Sequence, residues 1–421
     1  MKVRASYGSL GNGNVDPYSF LELLSIKTSD RVLNGALNKY TSAPAVMPSG
    51  LTWETATTTD VGLDFGMLNS RFRFSGDYYI RKTTDMYTVG KTLPEIFGAA
   101  SPKGNYADMT TKGWEITLTW RDHFELASKP FNYEIKGTLS DYISTIDRYN
   151  NENKYLDDYY EGMRVGEIWG YETEGLFKDQ ADIDNHATQK LIKSSSKNIW
   201  YPGDVKLKDQ DGNGAIDYGT NRVDDHGDLK VIGNSLPRFA YSINLSGDWN
   251  NFFISAFFQG VGKQDWYPSS ECIFWGQYNR PYNNLPTWHV DNYWTEDNQG
   301  AYLPRYAGYN TSIRDTKQTR YLQNVAYIRL KNLQFGYTLP KQWISKIMLQ
   351  NARVYISAEN LWCWSPLYKH TRDLDVTNIY GSDPDLTDAD MKSGLNGKRG
   401  SGDGNSYPQM RSVSLGVSVT F

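Results

Sequence analysis

Hydrophobic and polar side chains alternate with a period of two through long stretches of this chain. At its end Val413, Leu415, Val417, Val419 and Phe421 alternate with Ser412, Ser414, Gly416, Ser418 and Thr420, which gives a strand with one apolar and one small polar face. Phe239, Tyr241, Ile243, Leu245 and Trp249 stand in the same way against Ala240, Ser242, Asn244, Ser246 and Asp248. Phe131, Tyr133, Ile135 and Leu139 do so against Asn132, Glu134, Lys136, Thr138 and Ser140, and Phe72, Phe74, Tyr78 and Ile80 against Arg71, Arg73, Ser75, Asp77, Tyr79 and Arg81. The predicted strands thus carry charge on their polar faces. A sandwich core has no place for charge at every second position, whereas a wide water-filled or plugged lumen does.

Trp114 and Trp120 bracket Ile116 and Leu118 on one face, as an aromatic girdle at each boundary of a membrane requires. One strand breaks phase: Ile328 and Leu330 are followed by Leu333, Phe335 and Tyr337, and a β-bulge near Lys331 and Asn332 restores the register. Crossings are expected at 2–10, 51–66, 71–88, 106–120, 131–147, 236–249, 252–266, 320–338, 353–364 and 412–421, about ten in all. Short links (67–70, 121–130, 250–251, 339–352) alternate between them with long ones (11–50, 89–105, 148–235, 267–319, 365–411). Transmembrane barrels keep this parity of short periplasmic turns and long extracellular loops. It forces Glu167–Phe177, which reads as a strand, to lie outside the membrane within the 148–235 excursion.

Composition agrees with strands. The 421 residues include 37 Gly, 31 Tyr and 13 Trp, and aromatics reach 14%. Mean hydropathy is negative, and no run of apolar residues is long enough for a membrane-spanning helix or a secretory apolar region. A barrel wall escapes that test because its two faces average out. The net charge of -4 gives no basic footprint for nucleic acid. Only Cys272 and Cys363 occur, which argues against a disulfide framework; they are read as two free thiols, with a single bridge between them as the alternative.

Longer strings then point to one family. Val3-Arg4-Ala5-Ser6-Tyr7-Gly8-Ser9-Leu10-Gly11-Asn12, the stretch from Gly203 through Asp209-Gln210-Asp211-Gly212-Asn213-Gly214-Ala215-Ile216-Asp217 to Val231-Ile232-Gly233-Asn234 and Pro237, and Tyr293-Trp294-Thr295-Glu296-Asp297-Asn298 with Pro304-Arg305 each resemble a segment of the SusC/RagA-like TonB-dependent outer-membrane transporters. So do Leu322 through Leu333 with Gly336-Tyr337 and Leu339-Pro340, and Val354 through Leu361, all in the family's order. The resemblance implies the C-terminal portion of an antiparallel transmembrane β-barrel, all-β, supplying about ten of 22 strands. Residues 1–421 are then one partial barrel domain, with the signal peptide, the TonB-contacting segment, the plug and the first strands expected to be missing. Phe421 resembles the terminal aromatic that the barrel-assembly machinery recognises.

Asp209-x-Asp211-x-Asn213-Gly214-x-Ile216-Asp217 has the spacing of a calcium loop, with oxygens at positions one, three and five, a turn glycine at six and the Ala215 carbonyl at seven. Thr220 stands where the twelfth-position acid belongs. Shorter family members place an acid directly before the VIGN string, so Asp228 is expected in that role, with Asp224 and Asp225 as rivals; the alternative is a solvated turn. A Ca²⁺ there braces a loop. Around Trp266, Trp275, Tyr278, Trp288 and Trp294 an aromatic loop either stacks on sugars or a partner, or else packs against itself or sits in the membrane girdle. His186, His226, His289 and His370 lack metal-ligand spacing and are read as solvated loop histidines, and no nucleophile, phosphate-cradling or carboxylate-pair constellation stands out, so no enzyme is expected.

By resemblance, the parent protein imports oligosaccharides or peptides across the outer membrane, driven by the TonB complex and capped by a SusD-like surface lipoprotein. The rival is a secreted, soluble all-β carbohydrate-binding protein, which leaves the lumen-type charges and loop parity without a cause.

Overall fold

The computed structural model describes residues 1–13, 21, 24–42, 46, 50–90, 96, 101–192, 194, 198–377, 379 and 409–421. Ten long strands form one sheet: β1 (Lys2–Asn12), β2 (Glu54–Met67), β3 (Phe72–Val89), β4 (Lys103–Leu126), β5 (Lys129–Arg148), β6 (Arg238–Trp249), β7 (Phe252–Lys263), β8 (Tyr327–Thr338), β9 (Asn351–Trp364) and β10 (Ser412–Thr420). Each pairs antiparallel with its predecessor and successor, and the sheet is not closed, so β1 and β10 are its edges. These are the ten expected crossings, each shifted at its ends.

Register follows the alternation. One cross-strand row runs Val3, Leu63, Gly76, Ile116, Leu139, Tyr241, Gly260, Ile328, Trp364. The next row runs Lys2, Asp64, Ser75, Thr117, Thr138, Ser242, Gln259, Arg329, Cys363. The sheet therefore has a continuous apolar face and a continuous polar one, because a pleated strand sends successive side chains to opposite sides. The apolar face is uncovered: Leu139, Ile254, Phe335, Ile356, Leu415 and Val417 are all exposed. An exposed apolar surface spanning a whole sheet needs a nonaqueous neighbour. The expected bulge is present, with Phe257 opposite Asn332 and Phe258 opposite Leu330, which leaves Lys331 out of the ladder.

Three boundaries differ from the sequence reading. Residues 121–130 are no open link, since β4 continues to Leu126 and turns through Ala127 and Ser128, both at positive φ, into β5. Phe124 on Phe131, with ring centroids 5.0 Å apart, extends the apolar face down that hairpin despite the charges around it. At the other end, β7 stops at Lys263 and β8 starts at Tyr327, so Trp266, Tyr321 and Val325 leave the wall for the loop layer. Glu167–Phe177 lies outside the large sheet, as expected: Glu167–Gly170 pairs with Lys230–Asn234 and Thr173–Leu176 with Val205–Leu207.

The hydrophobic core sits in these excursions and not in the wall. Tyr171, Ile192, Val205, Leu207 and Ile216 from the β5–β6 excursion pack with Trp266, Phe274, Trp275, Tyr278, Leu303, Ile313 and Tyr321 from the β7–β8 excursion. Leu367, Leu374, Val376 and Ile379, after β9, complete the cluster. Three long loops thus make one folded lobe on one end of the wall. No disulfide joins Cys272 and Cys363: each sulfur accepts a hydrogen bond, from the Phe274 amide at 3.4 Å and the Tyr368 hydroxyl at 3.5 Å respectively.

Candidate metal loop and the aromatic lobe

The Asp209 segment follows the short strand Val205–Leu207, whose buried Val205 and Leu207 anchor it to the lobe core. From there the chain turns tightly. The Asp209 carboxylate accepts the Gly212 amide at 2.7 Å and the Gly214 amide at 2.9 Å, with both glycines at positive φ, where a Cβ is strained. Asp211 accepts from the Asn213 amide at 3.0 Å and Asn213 from the Ala215 amide at 2.8 Å. Amide donors from Gly214 and Gly212 hold the Asp209 carboxyl below the usual carboxylate range.

Asp228 enters from farther along the chain. It is fully buried, and its two oxygens accept the amides of Gln210, at 2.5 Å, and Asp217, at 2.9 Å. One carboxylate oxygen from each of Asp209, Asp211 and Asp228 falls within 4.8 Å of the others. That spread is what a cation with oxygen ligands at about 2.3–2.6 Å requires. The two rivals for Asp228 point elsewhere, as Asp224 pairs with Arg222 at 2.6 Å and Asp225 accepts from the Thr220 amide at 3.2 Å. Asp217 also turns away, to the Gly219 amide at 2.7 Å. Of the expected set, three acids converge; Asn213 and Ala215 stand on the same turn, and Asp217 stands beside it. Next to the loop, Glu172 is pulled down to about 2 by hydrogen bonds from Lys230 and Gln210, which tie the turn to the Glu167–Gly170 ribbon.

The aromatic loop is an interior. Trp266, Trp275 and Tyr278 have no exposed surface, and Trp294 almost none. Trp275 stands edge-on to Phe274 (centroids 5.1 Å) and Tyr321 (5.7 Å) and donates its indole N–H to the Ser269 carbonyl at 3.0 Å. Tyr278 donates to the Pro304 carbonyl at 2.7 Å. Trp294 lies over Gly203, where a Cβ would come within 2.4 Å of the indole, so glycine at that position is a packing requirement. Trp288 is half-buried between Phe274 and His370. Of the readings left open by the sequence, this geometry matches packing of the loop against itself, because Trp266, Trp275 and Tyr278 have no surface open to a ligand or to lipid. Exposed aromatics do exist in the same excursion. Tyr282 and Tyr309 both stand by Arg280, whose guanidinium pairs with Glu271 at 3.1 Å. Periodicity cannot single out such residues, since they lie in irregular backbone.

Among the histidines, His289 is fully buried beside Trp288 and Tyr278, with Nε2 2.9 Å from the Phe274 carbonyl. His370 stacks on Tyr302 at 4.5 Å. Both are lobe packing residues and not the solvated loop histidines expected, because aromatic neighbours enclose them.

A two-faced antiparallel wall with short turns at one end and a folded lobe at the other defines a portion of a β-barrel membrane protein. No family model matches the chain. Its whole length is 28% identical to part of TonB-dependent receptor P3 of Formosa agariphila and 23% identical to part of the TonB-dependent receptor SusC of Bacteroides thetaiotaomicron. The wall and lobe also superpose over the full chain on the structure of the RagAB peptide transporter, with a TM-score of 0.68 at 19% identity. The chain spans about two fifths of these relatives, 39% of P3, 37% of SusC and 40% of the RagAB chain. Along its whole length the chain is thus similar to part of the TonB-dependent receptors, and it has the fold of a portion of such a barrel.

Proposed function

We propose that this chain is the C-terminal part of an outer-membrane importer for oligosaccharides or peptides. In this reading the apolar face of the sheet meets lipid, the polar face lines the lumen, and the lobe stands on the extracellular side. The observation that carries it is the separation of an apolar from a polar face across all ten strands, joined to similarity along the whole of this chain to part of TonB-dependent receptors. The rival soluble carbohydrate-binding protein leaves an exposed sheet of Leu, Ile, Val and Phe unexplained.

The transport cycle assigned here needs a plug and energy from a TonB complex, with a SusD-like lipoprotein over the lobe. Phe421 serves the barrel-assembly machinery. Ca²⁺ held by Asp209, Asp211 and Asp228, with the Asn213 side chain and the Ala215 carbonyl on the same turn, braces the lobe and performs no chemistry. The chain's own acids supply the charge, and the amide-bonded turn pre-arranges them.

The test is deletion of the gene in its own organism, followed by growth on single oligosaccharides and on peptides as sole nutrient, with surface-exposed lipoproteins recovered on the tagged wild-type protein. Loss of growth on one nutrient class and co-recovery of one lipoprotein are expected. Growth unchanged on every nutrient, with the protein found in the soluble fraction, overturns the reading.

A further inference from the structure

Outward positions on β3 read Phe72, Phe74, Gly76, Tyr78 and Ile80, and the next one is Lys82. On β4 the same face reads Trp120, Leu118, Ile116, Trp114, and then Lys112. Greasy side chains thus end on both strands at the same edge, with Tyr78 opposite Trp114 as the girdle, and a lysine follows on each. Ile80 is opposite Lys112 and Lys82 opposite Thr110, so the two lysines are diagonal neighbours on one face. Hydroxyls flank them: Thr59 and Thr57 on β2, and Thr145 on β5, share these rows. Ser9 on β1, opposite Thr57 with the hydroxyls 3.1 Å apart, extends the ladder.

Neither lysine has an ion-pair partner among the described residues. The acids nearby are engaged elsewhere or outnumbered. Asp141 is clamped by both ends of the Arg238 guanidinium at 2.5 Å, and Asp147 accepts the Thr110 hydroxyl. An open groove of about 670 Å³, floored by Tyr78, Ile80 and Trp114, therefore presents two ammonium groups against Asp147 alone. A lysine on a lipid-facing wall extends its amine toward the polar boundary and is attracted there by anionic headgroups.

We propose that this groove holds the phosphorylated headgroup of a glycolipid in the outer leaflet. Phosphate oxygens accept from Lys82 and Lys112, sugar hydroxyls meet the threonine ladder, and acyl chains lie on the belt from Phe72 to Ile80. Free phosphate uses only the first of these contacts, so the lipid is the occupant the whole surface fits. The inference rests on the reading that the apolar face meets lipid.

The protein is purified in mild detergent from the outer membrane of its own organism, and bound lipid is counted by native mass spectrometry for wild type, K82Q/K112Q and K82R/K112R. Each is then titrated with a phosphorylated glycolipid and with its enzymatically dephosphorylated form. Wild type and the arginine variant are expected to retain the phosphorylated lipid, and the glutamine variant to bind it at least about fivefold more weakly, with no difference among the three for the dephosphorylated form. Equal retention by K82Q/K112Q overturns the inference while leaving the membrane reading intact, and so does full displacement of the lipid by millimolar inorganic phosphate. Absence of the wild-type protein from the outer membrane overturns both.

Discussion

Arg4 on β1 reaches across the whole of β2 to Asp77 on β3, with Nη1 2.7 Å from the carboxylate, while its Nε pairs with Asp64 at 2.8 Å. The path is open because the strand between carries Gly62, opposite both Arg4 and Asp77. A Cβ at Gly62 would stand 2.2 Å from the Asp77 carboxylate and 2.7 Å from the guanidinium. Alternation tells which face a residue takes, and here a missing side chain decides which residues on that face can meet.

Gly62→Val is expected to break this bridge and to add the cost of overpacking, about 1–3 kcal/mol. Arg4→Ala breaks the bridge alone. The two changes should be less than additive in the temperature at which the barrel loses resistance to detergent unfolding, since each removes the same contact. Strict additivity would show that Gly62 and the ion pair are independent.

Ca²⁺ is expected to protect the Asp209–Asp228 turn from proteolysis, and at a hundredfold excess over its dissociation constant to stabilise the lobe by about 2.7 kcal/mol. Asp211→Asn is the cleaner variant, because Asp211 is exposed whereas Asp228 also holds two amides. It should weaken terbium luminescence at the site at least about tenfold by removing one anionic ligand. Unchanged luminescence in Asp211→Asn sinks the metal assignment.

Burial pushes His289 down to about 4 from its ordinary 6.5. His370 is also held down to about 4, by burial and by the charge of Lys369. The unfolded lobe therefore takes up protons between pH 6.5 and 4 that the folded lobe refuses, so stability rises with pH across that window. For His289, which is fully enclosed, the loss on acidification is on the order of 3 kcal/mol. Tryptophan emission from the lobe should shift to the red as pH falls from 6.5 to 4, and His289→Gln should flatten that profile. A flat profile in the wild type would falsify it.

Trp275→Ala should cost about 3–5 kcal/mol at the centre of the lobe. Limited proteolysis should then cut within 149–235 and 264–326 together, while the strands stay protected. Cleavage confined to the Trp275 loop would mean that the excursions fold separately.

The wall was legible because a pleated sheet with one apolar and one polar face imposes a period of two, and Tyr241, Ile243 and Leu245 keep that period without interruption. Even the slip at Lys331 could be located from the change of phase between Leu330 and Leu333. Residues 121–126 were placed in a short link, yet they continue β4, where Phe124 finds Phe131 on the neighbouring strand. The lobe was illegible for a different reason. Trp275, Tyr321 and Leu367 belong to one core but follow no common spacing, so only their contacts reveal it. Asp228 could be named in advance through resemblance to shorter sequences; its turn toward Asp209 needed the structure.

The shared core also fixes an order of events in biogenesis. Leu374, Val376 and Ile379 are made more than a hundred and fifty residues after Val205 and Leu207, yet they close the same cluster. Contacts so distant along the chain form late. The excursions between β5 and β6 and between β7 and β8 can therefore complete this cluster only once the segment after β9 has been made.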